Sequence, residues 1–517
     1  MNNTFEDLYN ITVSSHRNSD AIVYFESKNR KIITFNEYDE LTKGYAVLFE
    51  EVLSDTDRGS WVGMQLPNSH IWFAVLFALQ KTGYNVVLID ENAGENLVRH
   101  FIKQTGMKAL VTFRNCFYDD VKCINMAGLQ PKGCTCSKPE QAWSSKMAFC
   151  TSGTTGTAKV YVFNSSAIVH SCQNIVDFYY RNDDLNTKGK EGADGENPIL
   201  ALPLRHISGF ILAFAFWTLG KCLVLPNGKG ILNIIETVRE EKIWLLFCVP
   251  AMWKAILQIM KVKYKKADAN GFKELLGTGL KVGISAAASL DDGLADVFRK
   301  SGIEFLNCWG MTETGICSIG RISEADTGSY VGSSVNGHDI KVMTEEGNLK
   351  SGTGELRLEG KALFEAVMKD GVEIRRTESF STGDIFRYEK GKLFFLGRCK
   401  SVIVGESGEN VYPEEIDMYF DFLSGKVHSY CTVGYKDEPV LFVGIDKAHS
   451  EAEYDSIAEA VREVNQTLPA VKQLTKLFIV NKGLPHTSKG EPARMKLTAE
   501  FVETNDIKMI KMKGRKV

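Results

Sequence analysis

A stretch rich in glycine and small hydroxyl residues, FCTSGTTGTAK at positions 149–159, is the segment best suited to bind phosphate. Glycines and Ser/Thr side chains in this density expose backbone N–H groups and hydroxyl donors, and Lys159 adds a positive charge. The segment is not a Walker loop, because no lysine directly follows its second glycine and no Ser or Thr follows Lys159. Taken alone, the loop is equally consistent with a flexible Thr/Gly turn.

The loop also resembles the TSGTTGxPK motif of the adenylate-forming superfamily, which includes acyl-CoA synthetases, luciferases and the adenylation domains of peptide synthetases. Later segments resemble the family's other motifs in the family's order: LPLRH, NCWGMTE, GEL, STGD, GRCK, VYPEEI and LPHTSKGEPARMKL. The likeness runs from about Leu66 to Leu497. An ordered series of this kind is not expected by chance.

The resemblance implies a site for ATP or AMP. The loop would hold the β- and γ-phosphates, Trp309 would stack on adenine, and Asp384 would accept the ribose hydroxyls with Arg398 nearby. A core tryptophan and a turn-capping aspartate are the alternatives for Trp309 and Asp384. The implied nucleotide-binding residues are Thr151, Ser152, Gly153, Thr154, Thr155, Lys159, Trp309, Gly310, Met311, Thr312, Asp384 and Arg398.

The resemblance also implies cofactors. Glu313, the last residue of NCWGMTE, takes the position that ligates Mg²⁺ in the family. A carboxylate beside a polyphosphate requires a cation between the two, because their negative charges repel. Mg²⁺ is therefore implied together with ATP and AMP, and a thiol co-substrate, CoA or phosphopantetheine, is implied by the ligase branch of the family.

His206 in LPLRH matches the histidine at the mouth of the acyl pocket, which implies a catalytic and substrate-binding role; a core histidine is the alternative. Arg205 replaces the usual aromatic residue, and we expect it either to meet an acidic substrate or to reach solvent. The family's Gly-Gly-Ala segment is SAAAS here, so the methyl groups of Ala286 and Ala287 are expected to narrow the site. LPLRHISGF is also similar to the pocket segment of o-succinylbenzoate–CoA ligases, a short match that does not identify the acyl substrate.

Members of this family use two orientations of a small C-terminal domain for two half-reactions. The resemblance divides the chain into an AMP-binding N-terminal domain, residues 1–400, and a mobile C-terminal domain, residues 401–517. Ser401 takes the hinge position, where a residue needs only to tolerate two backbone conformations. Gly408 takes a position in the tunnel for the thiol.

One motif residue departs from the family in charge. Aligning the C-terminal motif on Gly490 and Arg494 places Glu491 where the family has a catalytic lysine that bridges the substrate carboxylate and the α-phosphate. At about 4 Å and an effective dielectric near 20, one charge pair is worth roughly 4 kcal/mol. We therefore expect adenylation to slow by on the order of a thousandfold or more. Lys489 would point the same way in an extended loop and is the alternative catalytic residue.

The thioester half-reaction does not need this lysine, because the small domain has rotated away by then. The chain is therefore predicted to use a ready-made acyl-adenylate, to adenylate slowly, or to work with a partner that supplies the adenylate. The expected partners are a small-molecule carboxylate or its acyl-adenylate, with a carrier protein or an adenylating partner as further possibilities.

The elements that would position these residues follow from the hydrophobic pattern. Short β-rich runs alternate with helical patterns, as at Trp61–Leu66, Val86–Ile89 and Trp244–Val249, which predicts parallel sheets with helices on both faces. Short strands and many turns from Thr327 to Phe395 predict a barrel-like region. The fold class is thus α/β: a large N-terminal domain of doubly wound sheets with a β-barrel-like subdomain, followed by a small α+β C-terminal domain.

Composition argues against several other classes. The 517 residues include 61 Lys and Arg against 64 Asp and Glu, so neither a nucleic-acid nor a membrane partner is expected. The apolar run from Phe210 to Leu219 is too short to span a bilayer, and the N-terminus lacks signal-peptide features, so a cytoplasmic location is expected. The 12 cysteines show no framework and are expected to be reduced.

The leading function is an AMP-forming acid–thiol ligase that makes a thioester from an acyl or aryl carboxylate through an acyl-adenylate. Amino-acid activation is disfavoured, because the sequence contains no FDxS-like aspartate in the expected region. A nucleotide-binding pseudo-enzyme without turnover is the rival from another class. Glu491 favours the rival, whereas Asp384, Arg398 and Glu313 argue against it. Luciferase-type oxygenation shares the motifs.

Overall fold

The computed structural model describes residues 4–133, 142–151, 158–181, 197–265, 268–286, 290, 292–325, 327, 329–335, 338–344, 347–349, 351–376, 379–404, 410–435, 438–445, 451–469, 472–487 and 490–512. The helices are α1 Phe5–Ser15, α2 Phe35–Val52, α3 Trp72–Lys81, α4 Glu95–Thr105, α5 Ser165–Arg181, α6 Ile207–Thr218, α7 Ile231–Glu240, α8 Pro250–Tyr264, α9 Ala269–Leu276, α10 Asp292–Arg299, α11 Pro413–Tyr419, α12 Glu451–Thr467 and α13 Ala499–Thr504.

The strands of the first part of the chain are β1 Asp20–Glu26, β2 Asn29–Thr34, β3 Trp61–Gln65, β4 Asn85–Leu88, β5 Ala109–Thr112, β6 Lys122–Asn125, β7 Lys146–Cys150, β8 Val160–Asn164, β9 Pro198–Ile199, β10 Leu223–Val224, β11 Leu245–Cys248, β12 Val282–Ala286, β13 Glu304–Met311 and β14 Gly315–Arg321. The later strands are β15 Tyr330–Ser334, β16 His338–Thr344, β17 Gly347–Leu349, β18 Gly352–Gly360, β19 Ala366–Lys369, β20 Val372–Arg375, β21 Phe380–Glu389, β22 Lys392–Arg398, β23 Ile403–Val404, β24 Asn410–Val411, β25 Ser429–Tyr435, β26 Glu438–Gly444, β27 Lys476–Val480 and β28 Ile507–Lys511.

Two large sheets form the body of the chain up to Arg398. One has the strand order β20-β19-β8-β7-β4-β3-β5-β6, and the other the order β17-β16-β18-β21-β22-β15-β14-β13-β12-β11-β9-β10-β1-β2. Pairing is parallel from β6 to β7 in the first sheet and from β1 to β13 in the second. Parallel neighbours need crossover connections, which the intervening helices supply.

Helices α3 and α6 lie inside the molecule. α3 is buried from Trp72 to Gln80, and α6 is buried from Gly209 to Trp217. One core cluster contains their side chains together with strand residues of both sheets, among them Val62 and Ile284. A helix that is apolar on all sides must be covered all round, and two sheets provide that cover. Among the described residues, no helix combines the length and the apolarity needed to cross a membrane.

The parallel strands of the smaller sheet bring two acidic residues and the phosphate loop to the same edge, at the carboxyl ends of β4 and β7. β4 and β7 pair in parallel with Leu88 opposite Phe149, so their carboxyl ends lie side by side. β4 continues into Asp90 and Glu91, while β7 continues into the Thr/Ser/Gly loop. Charged residues after β4 are therefore neighbours of the phosphate loop.

Antiparallel strands follow β13. β15 to β18, β21 and β22 extend the larger sheet, and β19 and β20 extend the smaller one. The register of β21 on β22 places Asp384 opposite Arg398. The turn-rich region predicted from Thr327 to Phe395 is thus a set of short strands that joins both sheets and presents Asp384.

The C-terminal part has its own sheet, β25-β26-β27-β28, and its own core. α12 packs on this sheet through residues such as Val461, against strand residues Leu441 and Ile479. A sheet with a helix packed on it matches the predicted small α+β C-terminal domain. This α+β unit follows a short 3₁₀ turn at Cys399–Ser401.

The expectation that all cysteines are reduced is wrong for one pair. Cys116 and Cys123 form a disulfide that ties the β5–β6 connection to β6 itself. The two residues are 7 positions apart, and Cys123 lies in β6, which pairs in parallel with β5. Cys134 and Cys136 lie outside the described residues.

Candidate active site

The base of the phosphate loop is a closed hairpin. The Thr151 N–H donates to the Lys159 carbonyl oxygen at 2.9 Å, and the Lys159 N–H donates to Thr151 Oγ1 at 3.0 Å. These bonds continue the antiparallel register of β7 and β8. His100 supports the outgoing arm, since its Nε2 lies 2.7 Å from the Ala158 carbonyl oxygen. The predicted loop residues Ser152, Gly153, Thr154 and Thr155 lie outside the described residues.

Trp309 and Asp384 contact each other directly. The indole Nε1 donates to Asp384 Oδ2 at 3.2 Å, although the two residues are 75 positions apart. Arg398 Nε lies 3.3 Å from Asp384 Oδ1 across the β21–β22 pair. Trp309 is 8% exposed and packs edge-on against Phe386, so it is also a core residue. Three residues that the resemblance assigns to adenosine therefore form one cluster.

The STGD turn is held by the strand that carries the GEL segment. The Gly383 N–H donates to Glu355 Oε1 at 2.9 Å, and the Thr382 hydroxyl donates to the Leu356 carbonyl oxygen at 2.9 Å. The same hydroxyl accepts from the Asp384 N–H at 3.1 Å. Gly383 has φ +74°, a conformation that favours glycine. The GEL segment thus fixes the position of Asp384.

The turn at the end of β13 requires a glycine. A Cβ atom on Gly310 would lie 1.9 Å from the Gly315 carbonyl oxygen, where no side chain fits. The Met311 N–H donates to the Thr314 hydroxyl at 3.1 Å and closes the turn. Met311 and Thr312 are half-buried. The backbone therefore leads in a few residues from the adenosine cluster to Glu313.

Glu313 lies against the strand that leaves the phosphate loop. Its carboxylate lies near enough to the Tyr161 hydroxyl for its negative charge to act on that group. Burial, followed by the negative charge of Glu313, raises the pKa of Tyr161, so this hydroxyl stays a donor. The Glu313 carbonyl oxygen accepts from the Phe364 N–H at 3.0 Å. Glu313 therefore lies in the turn between β13 and β14, beside strand β8.

This oxygen-rich setting fits Mg²⁺. The ion prefers oxygen ligands and is usually bound through one or two carboxylates together with substrate phosphates and water. The described residues contain no cluster of three or more His, Cys, Asp or Glu side chains that would hold a metal unaided. A cation at Glu313 would therefore depend on the phosphate oxygens of a nucleotide.

Arg205 binds two carboxylates. Its Nη2 is 2.9 Å from Asp90 Oδ2, and its Nε is 2.9 Å from Glu91 Oε2. The side chain is only 16% exposed. The expectation that Arg205 reaches solvent is therefore wrong, and its contact with an acidic substrate stays a prediction. Its Nη1 lies 2.5 Å from Nε2 of His206, the exposed residue that caps α6.

The residues that the resemblance assigns to the acyl pocket lie at the end of β12 and at the start of α6. Ala286 ends β12, is 4% exposed and packs in the core that contains α6. Ala287 lies outside the described residues, so the narrowing by both methyl groups stays a prediction. A cleft with room for about one water molecule borders the start of α6 and is lined by Pro198, Ile199, Leu200, Leu202, Gly209, Leu212, Ala213 and Phe247.

Ser401 lies at the start of the C-terminal unit, and Glu491 lies in one of its turns. Ser401 ends the 3₁₀ turn that directly follows β22. Glu491 is half-buried in a tight turn, where its carbonyl oxygen accepts from the Thr487 N–H at 2.7 Å. Gly490 completes this turn with φ +80°. Lys489 and Gly408 lie outside the described residues, so a moved lysine and the thiol tunnel stay predictions.

Comparison with known proteins decides the family. The model of a family described as AMP-binding enzyme matches residues 11–367, more than half of the chain. The chain belongs to this family. It is 23% identical over 494 residues to a 2-succinylbenzoate–CoA ligase of Listeria monocytogenes, a match that covers 92% of this chain and 96% of the relative. An indoleacetate–CoA ligase of Aromatoleum aromaticum is 24% identical over 278 residues, or 52% of this chain and 50% of that protein.

Solved structures agree on the fold. The o-succinylbenzoate CoA synthetase of Bacillus subtilis, in complex with its acyl-adenylate intermediate, has a TM-score of 0.75 at 17% identity, covering 95% of this chain and 97% of that one. The same synthetase with ATP and magnesium ion gives 0.75, covering 95% and 98%. The predicted fold class and the predicted membership of the adenylate-forming family are confirmed.

Sequence reasoning missed four residues that organise this family member's site. Glu355 holds the STGD segment, and Tyr161 lies beside Glu313. Asp90 and Glu91 neutralise Arg205. The signal for the last two was available, because two adjacent carboxylates follow a buried strand that runs parallel to the strand of the phosphate loop.

Proposed function

We propose that this protein joins an acyl or aryl carboxylate to a thiol through an acyl-adenylate, with MgATP as co-substrate. The observation that carries this is the path of residues 309–313. Trp309, at one end, contacts Asp384, and Glu313, at the other end, lies beside Tyr161 of the strand leaving the phosphate loop. A nucleotide lying along this path would have its adenosine at the first end and its phosphates at the second.

Individual residues have defined tasks in this proposal. Asp384 accepts the ribose hydroxyls, and the face of Trp309 stacks on adenine. Lys159 and the loop hydroxyls bind the phosphates, while Glu313 holds Mg²⁺, which offsets phosphate charge when bound. His206 lies at the mouth of the acyl pocket.

An aromatic acid is the substrate class that we favour. The relatives named above act on 2-succinylbenzoate and on indoleacetate, as their names state. CoA is the favoured thiol, with a carrier-protein pantetheine as the alternative.

The C-terminal unit supports a two-orientation cycle. We propose that residues 1–400 bind the nucleotide and that residues 401–517 rotate about Ser401. In the adenylating orientation the 487–491 turn would approach the α-phosphate. Glu491 would then add a third negative charge beside the substrate carboxylate and the α-phosphate, which must come together for adenylation. The thioester step uses the other orientation, with Gly408 in the thiol tunnel, and is unaffected by Glu491.

Replacement of Glu491 tests this proposal. ATP–pyrophosphate exchange with 2-succinylbenzoate or indoleacetate should be very slow in the wild type, whereas the synthetic acyl-adenylate plus CoA should give thioester at an ordinary rate. Glu491→Lys should raise exchange by on the order of a thousandfold, because about 4 kcal/mol of charge interaction is gained. Glu491→Gln removes the charge without adding one and should give an intermediate rate.

Two outcomes would contradict parts of the proposal. If the wild type exchanges pyrophosphate rapidly and Lys489→Ala abolishes the exchange, the catalytic lysine has moved by two residues and adenylation is intact. If neither ATP with acid nor the synthetic adenylate yields thioester, the protein is a nucleotide-binding pseudo-enzyme without ligase turnover.

A further inference from the structure

A histidine on a neighbouring helix holds the arm by which the chain leaves the phosphate loop. His100 Nε2 lies 2.7 Å from the Ala158 carbonyl oxygen, although the two residues are 58 positions apart. A carbonyl oxygen only accepts hydrogen bonds, so Nε2 must carry a proton and act as the donor. The direction of this hydrogen bond is therefore fixed in either charge state of the imidazole.

His100 is itself held in place by its helix. It lies in α4 beside Phe101, and the two rings meet edge-on with their centroids 5.7 Å apart. Phe101 is buried in one core cluster with Ala158 and Val160. The imidazole therefore projects from a helix that is packed directly against the outgoing arm.

The peptide group between Ala158 and Lys159 is held at both ends. Its carbonyl oxygen accepts from His100 Nε2, and its N–H donates to Thr151 Oγ1 at 3.0 Å. The Lys159 carbonyl oxygen, one peptide further along, accepts from the Thr151 N–H at 2.9 Å. The backbone on both sides of Lys159 is thus fixed by α4 on one side and by the end of β7 on the other.

Side chains of the arm alternate between two faces of the smaller sheet. Ala158 and Val160 belong to the core cluster on the α4 side, whereas Tyr161 belongs to the cluster on the other face. Successive side chains of an extended strand point to opposite faces, and Lys159 continues the pairing of β8 with β7. Lys159 therefore points to the face of Tyr161, where the Glu313 carboxylate also lies.

We propose that His100 is a positioning residue that directs Lys159 to the β- and γ-phosphates of ATP. The inference rests on the proposed function, which places these phosphates at the loop. By holding the Ala158 carbonyl, His100 sets the peptide plane from which Lys159 starts, so the lysine is oriented before the nucleotide arrives. This hold replaces the proline of the TSGTTGxPK motif, whose ring restricts the backbone by itself, because alanine stands at position 158.

Titration calorimetry with MgATP and with AMP tests this role in the full-length protein. His100→Phe keeps an aromatic ring beside Phe101 but removes the donor. The net worth of one hydrogen bond corresponds to about a two- to tenfold change in an equilibrium constant, so MgATP binding should weaken by this factor. AMP lacks the β- and γ-phosphates, and its affinity should stay the same.

Three further variants serve as matched controls. Glutamine can place an amide N–H close to the position of Nε2, so His100→Gln should recover most of the MgATP affinity. Asparagine is too short to reach the carbonyl, so His100→Asn should behave like His100→Phe. Arg99→Gln changes the next residue of α4, whose partner is Glu95, and should leave both affinities unchanged. A purely structural His100 would instead weaken the binding of both nucleotides together.

Ala158→Pro tests whether His100 acts by restricting the arm. In the His100→Phe background the proline should restore part of the MgATP affinity, because it fixes φ at position 158 without any hydrogen bond from α4. In the wild-type background the same change should add little. Equal effects of Ala158→Pro in both backgrounds would show that the two residues act independently, which contradicts the proposed hold.

Hydrogen exchange reports on the arm without any nucleotide. The amides of Thr151 and Lys159, which bond across the base of the loop, should exchange about two- to tenfold faster in His100→Phe and His100→Asn than in the wild type or His100→Gln. If the wild type prefers MgATP over AMP and His100→Phe keeps that preference, the proposed function stands and the role of His100 is refuted. If exchange changes as expected but the wild type binds no MgATP, the proposed nucleotide site fails, and with it the task given to Lys159.

Discussion

Replacement of Asp384 probes the nucleotide site at its most connected residue. Asp384 is 2% exposed, and its two carboxylate oxygens meet Trp309 Nε1 at 3.2 Å and Arg398 Nε at 3.3 Å. The turn that carries it is fixed independently by the Gly383–Glu355 hydrogen bond. Asp384→Ala therefore removes a charged acceptor while the backbone around it stays supported.

Two effects of this change have different magnitudes. Leaving the buried indole N–H of Trp309 without its acceptor costs about 1–3 kcal/mol of folding free energy. Losing hydrogen bonds from two ribose hydroxyls to a carboxylate, each worth about 1.5–3 kcal/mol, should weaken AMP binding by at least tenfold and by roughly a hundredfold if about 3 kcal/mol is lost. The affinity of Asp384→Ala for AMP should therefore fall further than its loss of folding stability alone would explain.

Titration calorimetry with AMP, together with thermal unfolding, separates the two effects. Asp384→Asn is the matched control, because an amide oxygen can still accept from Trp309 but carries no charge. The Asn variant should recover most of the stability and little of the affinity. If Asp384→Ala unfolds at a lower temperature but binds AMP as tightly as the wild type, Asp384 only caps a turn and the ribose assignment is refuted.

Two further measurements address single side chains. The fluorescence of the protein should change when AMP saturates the site, and Trp309→Phe should remove that change while the fold persists; emission that ignores AMP would contradict the stacking role. Burial, followed by the neighbouring His170, lowers the pKa of His338 to about 4 from 6.5. Because the unfolded chain binds this proton first, stability should fall by roughly 3 kcal/mol as pH drops from about 6.5 to about 4. Urea unfolding at pH 7 and pH 4.5 should show a smaller drop for His338→Gln, and an equal drop in both proteins would refute this account.

The sequence alone determined the local chemistry and the order of elements. Motifs such as TSGTTGTAK and STGD consist of residues that are near neighbours in the chain, so residue types suffice to recognise them. The same holds for β3, whose bounds Trp61–Gln65 lie within the predicted run Trp61–Leu66. The family could be recognised because its motifs are of this local kind.

The tertiary structure decided the pairings between distant positions. The contact of Trp309 with Asp384 spans 75 residues, and that of Arg205 with Glu91 spans 114. Arg205 alone was compatible with a role in substrate binding; only the parallel pairing of β4 with β7, and the packing of α6 behind them, brought two carboxylates against it. Such contacts depend on strand order and register, which are set by the burial of the whole core and are not written into any single segment.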